Sequence, residues 1–214
     1  MKKSLSASLF VLVLILLTDF AYGTAQEPDI LIYQGKTYNL QTNPLEAYFK
    51  KFQEKRPKTN SISTSLWRGY RATFEIIDST LFLRDIDIDS DYGDGKKSVM
   101  AEVFSGQSVV WMDWFNGILT LPVGKLVRYV HMGYASTYEN YTLLEIRSGR
   151  FTKSKDFAHE DYEKFKDSQF ELFKSTKEYE EIVAFLRDKL KAPENVEPFI
   201  KRHATDYMTY FIED

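Results

Sequence analysis

Leu81-Phe82-Leu83-Arg84-Asp85-Ile86-Asp87-Ile88-Asp89 sets apolar side chains against acidic ones with a period of two. Successive side chains of a strand point to opposite faces, so this stretch is a strand with one buried face and one acidic face. The alternation slips once near Arg84, as a β-bulge would make it do. Upstream, residues 66–77 read as the antiparallel neighbour, turned at Asp78-Ser79. An acidic outer face over an apolar inner one is the signature of an antiparallel sheet packed on one side.

The same pattern repeats in both directions. Residues 30–33 and 37–40 form a hairpin about Gln34-Gly35-Lys36. Further strands are expected at 108–114, 118–121, 126–132 and 141–146, with Arg150 to Thr152 extending the last turn at Arg147-Ser148-Gly149. Asn116-Gly117, between apolar runs, predicts a tight hairpin, and Pro122-Val123-Gly124 predicts another turn. Short strands at close spacing form a meander rather than βαβ units.

Helical spacing interrupts the strands once and then replaces them. Asn43-Pro44 opens a helix with Leu45, Tyr48, Phe49 and Phe52 on one face; Glu46, Lys50, Lys51, Glu54 and Lys55 form the solvated face. Residues 98–104 form a helical turn ended by Gly106. Beyond Asp156 three helices follow. The first is marked by Tyr162, Phe165, Leu172 and Phe173. The second is capped by Ser175 or Thr176 and carries Tyr179, Ile182, Val183, Leu186 and Leu190. The third opens at Pro193 and carries Val196, Phe199, Ile200, Tyr207, Met208 and Phe211. The expected fold class is α+β: a mainly antiparallel sheet, residues 30–152, with an early helix and a C-terminal helix group, residues 158–212, packed on it.

The N-terminus speaks to location. Lys2-Lys3 precedes an uninterrupted apolar run over residues 9–17, and Ala21, Gly23 and Ala25 supply small residues beyond it. Basic start, apolar stretch and small-residue zone are the parts of a secretory signal peptide. The run is too short for a spanning helix, which needs about 20 apolar residues. A cut before Thr24, or else before Gln26, leaves residues 24–214 as one soluble domain, secreted or periplasmic. The 214-residue chain has no cysteine, so its export is not accompanied by a disulfide framework and burial alone must hold it together. It carries 14 Tyr and 16 Phe, a load that reads first as a core built from large rings. The formal net charge is -3, with no basic stripe, which disfavours nucleic acid and anionic membranes as partners.

Catalytic motifs are scarce. Asp85, Asp87, Asp89, Asp91 and Asp94 do not have the glycine and glutamate positions of an EF-hand loop. His131, His159 and His203 lie far apart, and no paired metal-ligand spacing, phosphate loop or nucleophile elbow occurs. No cofactor is expected. One segment does invite a functional reading. Tyr129-Val130-His131-Met132-Gly133-Tyr134-Ala135-Ser136-Thr137-Tyr138-Glu139-Asn140-Tyr141 crowds rings and hydroxyls onto one strand connection. Loops held by a rigid sheet are common binding positions, and Tyr joins ring area to a polar tip. The candidate binding residues are His131, Tyr134, Ser136, Tyr138 and Glu139, lining a concave surface near Trp67 or Trp114. The expected role is a non-catalytic module for a small ligand or a protein. The alternatives are a hydrolase using His131 with Glu139, and an inhibitor- or immunity-type protein. Asn140-Tyr141-Thr142 also matches an N-glycosylation sequon.

Overall fold

The computed structural model describes residues 24–59, 63–90, 95–189 and 196–202, without the side chains of Glu178, Asp188, Lys189, Phe199 and Arg202. The signal segment, Asp91 and Asp94, Leu190, Pro193, His203, and Tyr207, Met208 and Phe211 lie outside the described residues.

The chain is α+β, with nine strands and five helices among the described residues. β1 (Asp29–Tyr33) and β2 (Lys36–Leu40) form the first hairpin, with Gln34 and Gly35 both at positive φ. α1 (Leu45–Lys51) and two short 3-10 turns (Gln53–Lys55 and Thr64–Leu66) then cross over to β3 (Arg71–Ile77). That crossover lets β3 pair parallel to β1, whereas the other ladders are antiparallel. β4 (Thr80–Asp89) returns along β3 through Asp78 and Ser79, and the register breaks opposite Thr73 and Phe74, which leaves Arg84 as the extra residue. The slip in the sequence alternation is therefore a bulge. β5 (Lys96–Ser98), α2 (Met100–Val103) and β6 (Val110–Trp111) follow. β7 (Gly117–Arg128), β8 (Thr137–Arg147) and β9 (Arg150–Ala158) complete the sheet, and α3 (His159–Lys174), α4 (Lys177–Lys189) and α5 (Val196–Arg202) end the chain.

The main strand order is β2-β1-β3-β4-β9-β8-β7, and its two ends meet. The Gln41 N–H donates to Thr120 O at 3.0 Å, and the Thr120 N–H donates to Thr42 Oγ1 at 3.1 Å. The sheet thus curls around one core. Leu31, Phe74, Leu81, Leu83, Ile86, Leu119, Leu121, Leu144 and Ile146 fill it from the strands, and Leu45, Phe49, Met100 and Val103 from α1 and α2. Burial of this kind must supply the stability, because the chain has no cross-link.

Several sequence expectations change. Asn116-Gly117 is not a hairpin turn. β6 is two residues long and pairs with Phe82 and Leu83 of β4, while Gly117 opens β7 opposite Ile146. Gly117 is not among the glycines of positive φ; a Cβ there would lie 3.1 Å from Phe115 Cζ, so the glycine makes room for a buried ring. Residues 122–124 do not turn either: β7 runs through them as one strand. Pro122 is tolerated there because β7 ends the strand order, where a missing N–H breaks no second ladder. β3 starts at Arg71 rather than 66, after a 3-10 turn whose Ser63 Oγ accepts the Ser65 N–H. Trp67 therefore follows a turn, and Trp114 also sits in one; of the three, only Trp111 is in a strand. β9 continues to Ala158, past the expected end, because its exposed Thr152, Ser154 and Asp156 leave few apolar positions to signal a strand.

α3 carries the helix group's contact with the sheet. Tyr162 stacks on Tyr141 of β8 at 4.1 Å, and Phe165 packs on Phe157 of β9 at 5.0 Å. The buried residues of α4 and α5, Ile182, Leu186, Val196 and Ile200, cluster with Phe170 and Phe173 at the far end of α3. Thr176 caps α4 by accepting the Tyr179 N–H at 3.2 Å.

Candidate functional site

β7 has two halves. The inner half sends Leu119 and Leu121 into the core. Beyond Pro122 the strand leaves that core, and its pairing with β8 is irregular between Val123 and Leu126 and again between Leu126 and Arg128. Gly124 makes the break possible. Its φ is +85°, and a Cβ there would fall 2.6 Å from Glu139 Oε2. That same oxygen accepts the Lys125 N–H at 2.9 Å. Glu139 thus stitches the bulge, and any larger residue at 124 would displace it.

The outer half stands in water. Leu126 is 48% exposed, Val127 58% and Tyr129 60%. Neighbouring residues of a strand point to opposite faces, so both faces of this part of the ribbon are solvated. Among the described residues no strand pairs with the outer edge of residues 123–128. A two-stranded ribbon has little stability of its own in water, and an open edge with apolar side chains is a ready template for another chain. Lys125 and Arg128 flank Leu126 and Val127, and neither has a carboxylate partner among the described residues.

The connection from β7 to β8 is tied down at several points. Ser136 Oγ accepts the Val130 N–H at 3.0 Å and lies 3.2 Å from Val130 O. Gly133 pairs with the N-terminal segment as an isolated bridge to Ala25; the Gln26 N–H donates to Gly133 O and the Gly133 N–H to Thr24 O. His131 is exposed, with Nδ1 2.8 Å from the Tyr129 hydroxyl. Glu139 is occupied at the Gly124 bulge, and no hydrogen bond joins it to His131. Tyr138 meets Tyr141 edge to face, and the Tyr141 hydroxyl accepts the Tyr138 N–H at 3.1 Å. Asn140 of the sequon is exposed on β8.

The two candidate tryptophans sit in different settings. Trp67 is 49% exposed on the turn before β3. Trp114 packs beside Phe104 and Tyr48, against the main core. An open cleft of about 270 Å³ lies elsewhere, lined by Glu27, Ile30, Asn39, Arg71, Asp87 and Lys96 among others, and by no residue of the connection. Among the described residues no group of three or more His, Cys, Asp or Glu is placed to hold a metal ion.

Tyr134 belongs to a charged network that sequence reasoning missed. Asp29, at the start of β1, is fully buried. Its Oδ1 accepts from Arg68 Nη2 at 2.9 Å and from the Ala72 N–H at 2.8 Å, while Oδ2 and Arg68 Nε are buried without partners. Burial pushes the Asp29 carboxyl up to about 6, against the pull of Arg68. The Arg68 guanidinium is also held above its usual range, since Asp29 and neighbouring oxygens outweigh its own desolvation. Around this pair, the Tyr134 hydroxyl donates to Asn43 Oδ1 at 2.9 Å and receives Arg68 Nη1 at 3.3 Å. Burial raises the Tyr134 phenol to about 12. Asn43 therefore anchors Tyr134 instead of capping α1. Glu46, expected on the solvated face of that helix, is clamped between Arg56 at 2.6 Å and the Tyr70 hydroxyl at 2.7 Å. Arg71 bridges Glu27 and Asp89 at the edge. No periodicity marks such partners, because Asp29 and Arg68 are 39 residues apart. The only hint was a charge on each side of apolar segments.

Two environments thus divide the tyrosine-rich segment. Tyr134 and Ser136 fasten it inward, and Tyr129 and His131 face outward, as Leu126 and Val127 do on the strand before it. Comparison of the chain with protein-family models, with curated proteins and with solved structures found no match in any of the three.

Proposed function

We propose that this chain is an exported, non-catalytic protein-binding module that engages its partner along the outer half of β7 and the start of the connection to β8. One observation carries the reading: Leu126 and Val127 are exposed on a strand with an open edge, and Tyr129 is exposed just past its end. An open strand edge with exposed apolar side chains on both faces is a template for strand addition, and the buried anchoring of Tyr134 holds the following connection in place without covering that edge.

Export is part of the proposal. The basic start and apolar run motivate it. Thr24 is bound to the fold through its carbonyl, which accepts the Gly133 N–H, and through its hydroxyl, 2.9 Å from Thr64 Oγ1. Those bonds favour a cut before Thr24 over one before Gln26, which would remove them.

The test is capture of the partner from the compartment that receives the protein, with the mature chain and with Val127→Asp as baits. Val127 is exposed, so the variant should keep the thermal transition of the parent. The reading expects Val127→Asp to lose the partner. Equal recovery by a folded Val127→Asp variant would overturn it.

A further inference from the structure

The edge of β7 carries information about what it accepts. Leu126 and Val127 are bracketed by Lys125 and Arg128, all four exposed. Beyond the bracket Tyr129 and His131 add no negative charge. The nearest carboxylate on β8, Glu139, is turned back onto the Lys125 N–H. The open edge is therefore cationic at both ends of an apolar centre.

A second copy of the chain fits this edge poorly. In an antiparallel pairing of two β7 edges centred on Leu126 and Val127, Lys125 of one copy would face Arg128 of the other, twice. Like charges directly opposite across strands are destabilising, while opposite charges contribute favourably. Lysine on an open edge is also a common device that keeps identical chains apart.

We infer that the occupant of this edge is an extended segment of a different protein, added as a strand beside residues 125–128, with carboxylates opposite Lys125 and Arg128 and apolar side chains between them. This rests on the protein-binding reading above and specifies its partner. Main-chain hydrogen bonds along the edge supply affinity, and the flanking charges select the sequence and speed the encounter.

The experiment selects peptides from a displayed library of random linear sequences on the mature chain, in parallel with a Lys125→Glu, Arg128→Glu variant. Hydrogen exchange of the amides of residues 125–128 then locates the bound peptides. The expected result is enrichment of sequences with two acidic residues flanking an apolar pair, which slow exchange at 125–128, bind the variant about tenfold more weakly, and weaken with added salt. The variant should in turn enrich basic flanks. Peptides that protect 125–128 but show no charge preference, or keep the same consensus on the variant, overturn the acidic-strand assignment and leave the binding surface standing. Peptides that protect other regions only overturn both. Sedimentation of the mature chain should give a monomer; a dimer that dissociates in Val127→Asp would overturn the choice of a different protein over a second copy.

Discussion

Replacing Asp29 with Asn tests the buried network through its pH dependence. In the folded chain the Asp29 carboxyl titrates at about 6, against an ordinary value of 3.8. The cause is desolvation, which exceeds the attraction of Arg68. With a raised folded value, the unfolded chain ionises first as the pH rises. Stability from this group is fully present below about pH 4, falls between about pH 4 and 6, and is constant above. The drop is about 3 kcal/mol. Glu27 runs the other way: its carboxyl is lowered mainly by its hydrogen bond from Arg71, so its contribution is present above its usual range and lost as the pH falls. Asn at position 29 removes the first titration and leaves the second. The difference between parent and variant therefore isolates Asp29, whatever constant offset the amide introduces. Urea unfolding of both proteins at several pH values should show the parent losing about 3 kcal/mol relative to Asp29→Asn between about pH 3 and 7. A parent that gains on the variant over that range would mean that Arg68 holds the carboxyl down and that burial does not dominate.

Other consequences follow from the same geometry. Tyr134→Phe should cost about 1–2 kcal/mol in denaturant unfolding, since it leaves Asn43 and Arg68 short of a buried partner, and partner capture by the folded fraction should be unchanged. Tyr141→Ala removes the ring stacked on Tyr162 and should cost about 3–5 kcal/mol, with earlier proteolysis within α3 than in the parent. Intact-mass measurement of protein recovered from its native compartment should place the N-terminus at Thr24; a full-length chain in the membrane fraction would contradict export and processing.

The sequence was most legible where one face of an element is buried and the other wet. β4 is the clearest case: period two, acidic outer positions, and a phase slip that proved to be the Arg84 bulge. The hairpins at Gln34-Gly35, Asp78-Ser79 and Ser148-Gly149 were legible because each needs positive φ at its tip. Asn116-Gly117 misled for a related reason. A glycine can serve a ring's clearance as well as a backbone angle, and only the packing of Phe115 distinguishes the two. β9 was cut short because its polar residues hide a strand whose pairing is decided by β8. At the candidate site the sequence drew attention to the tyrosine-rich connection without its polarity. Tyrosine content alone does not separate Tyr134, which is held inward by Asn43 and Arg68, from Tyr129, which faces solvent. The exposed Leu126 and Val127 looked like ordinary strand residues, because exposure at an edge is set by what the rest of the sheet leaves uncovered.

The outer half of β7 is the surface proposed to meet a partner. A photo-reactive residue placed at Val127, and for comparison at Leu172, tests it most directly. Leu172 is an apolar residue with 51% exposure, similar to the 58% of Val127, but it lies on helix α3 rather than on the open-edged strand. Irradiation in the exporting cell should give a discrete adduct from position 127 and none of the same mass from position 172. An identical adduct from both positions, or an adduct from 172 alone, would place the binding surface elsewhere than on β7.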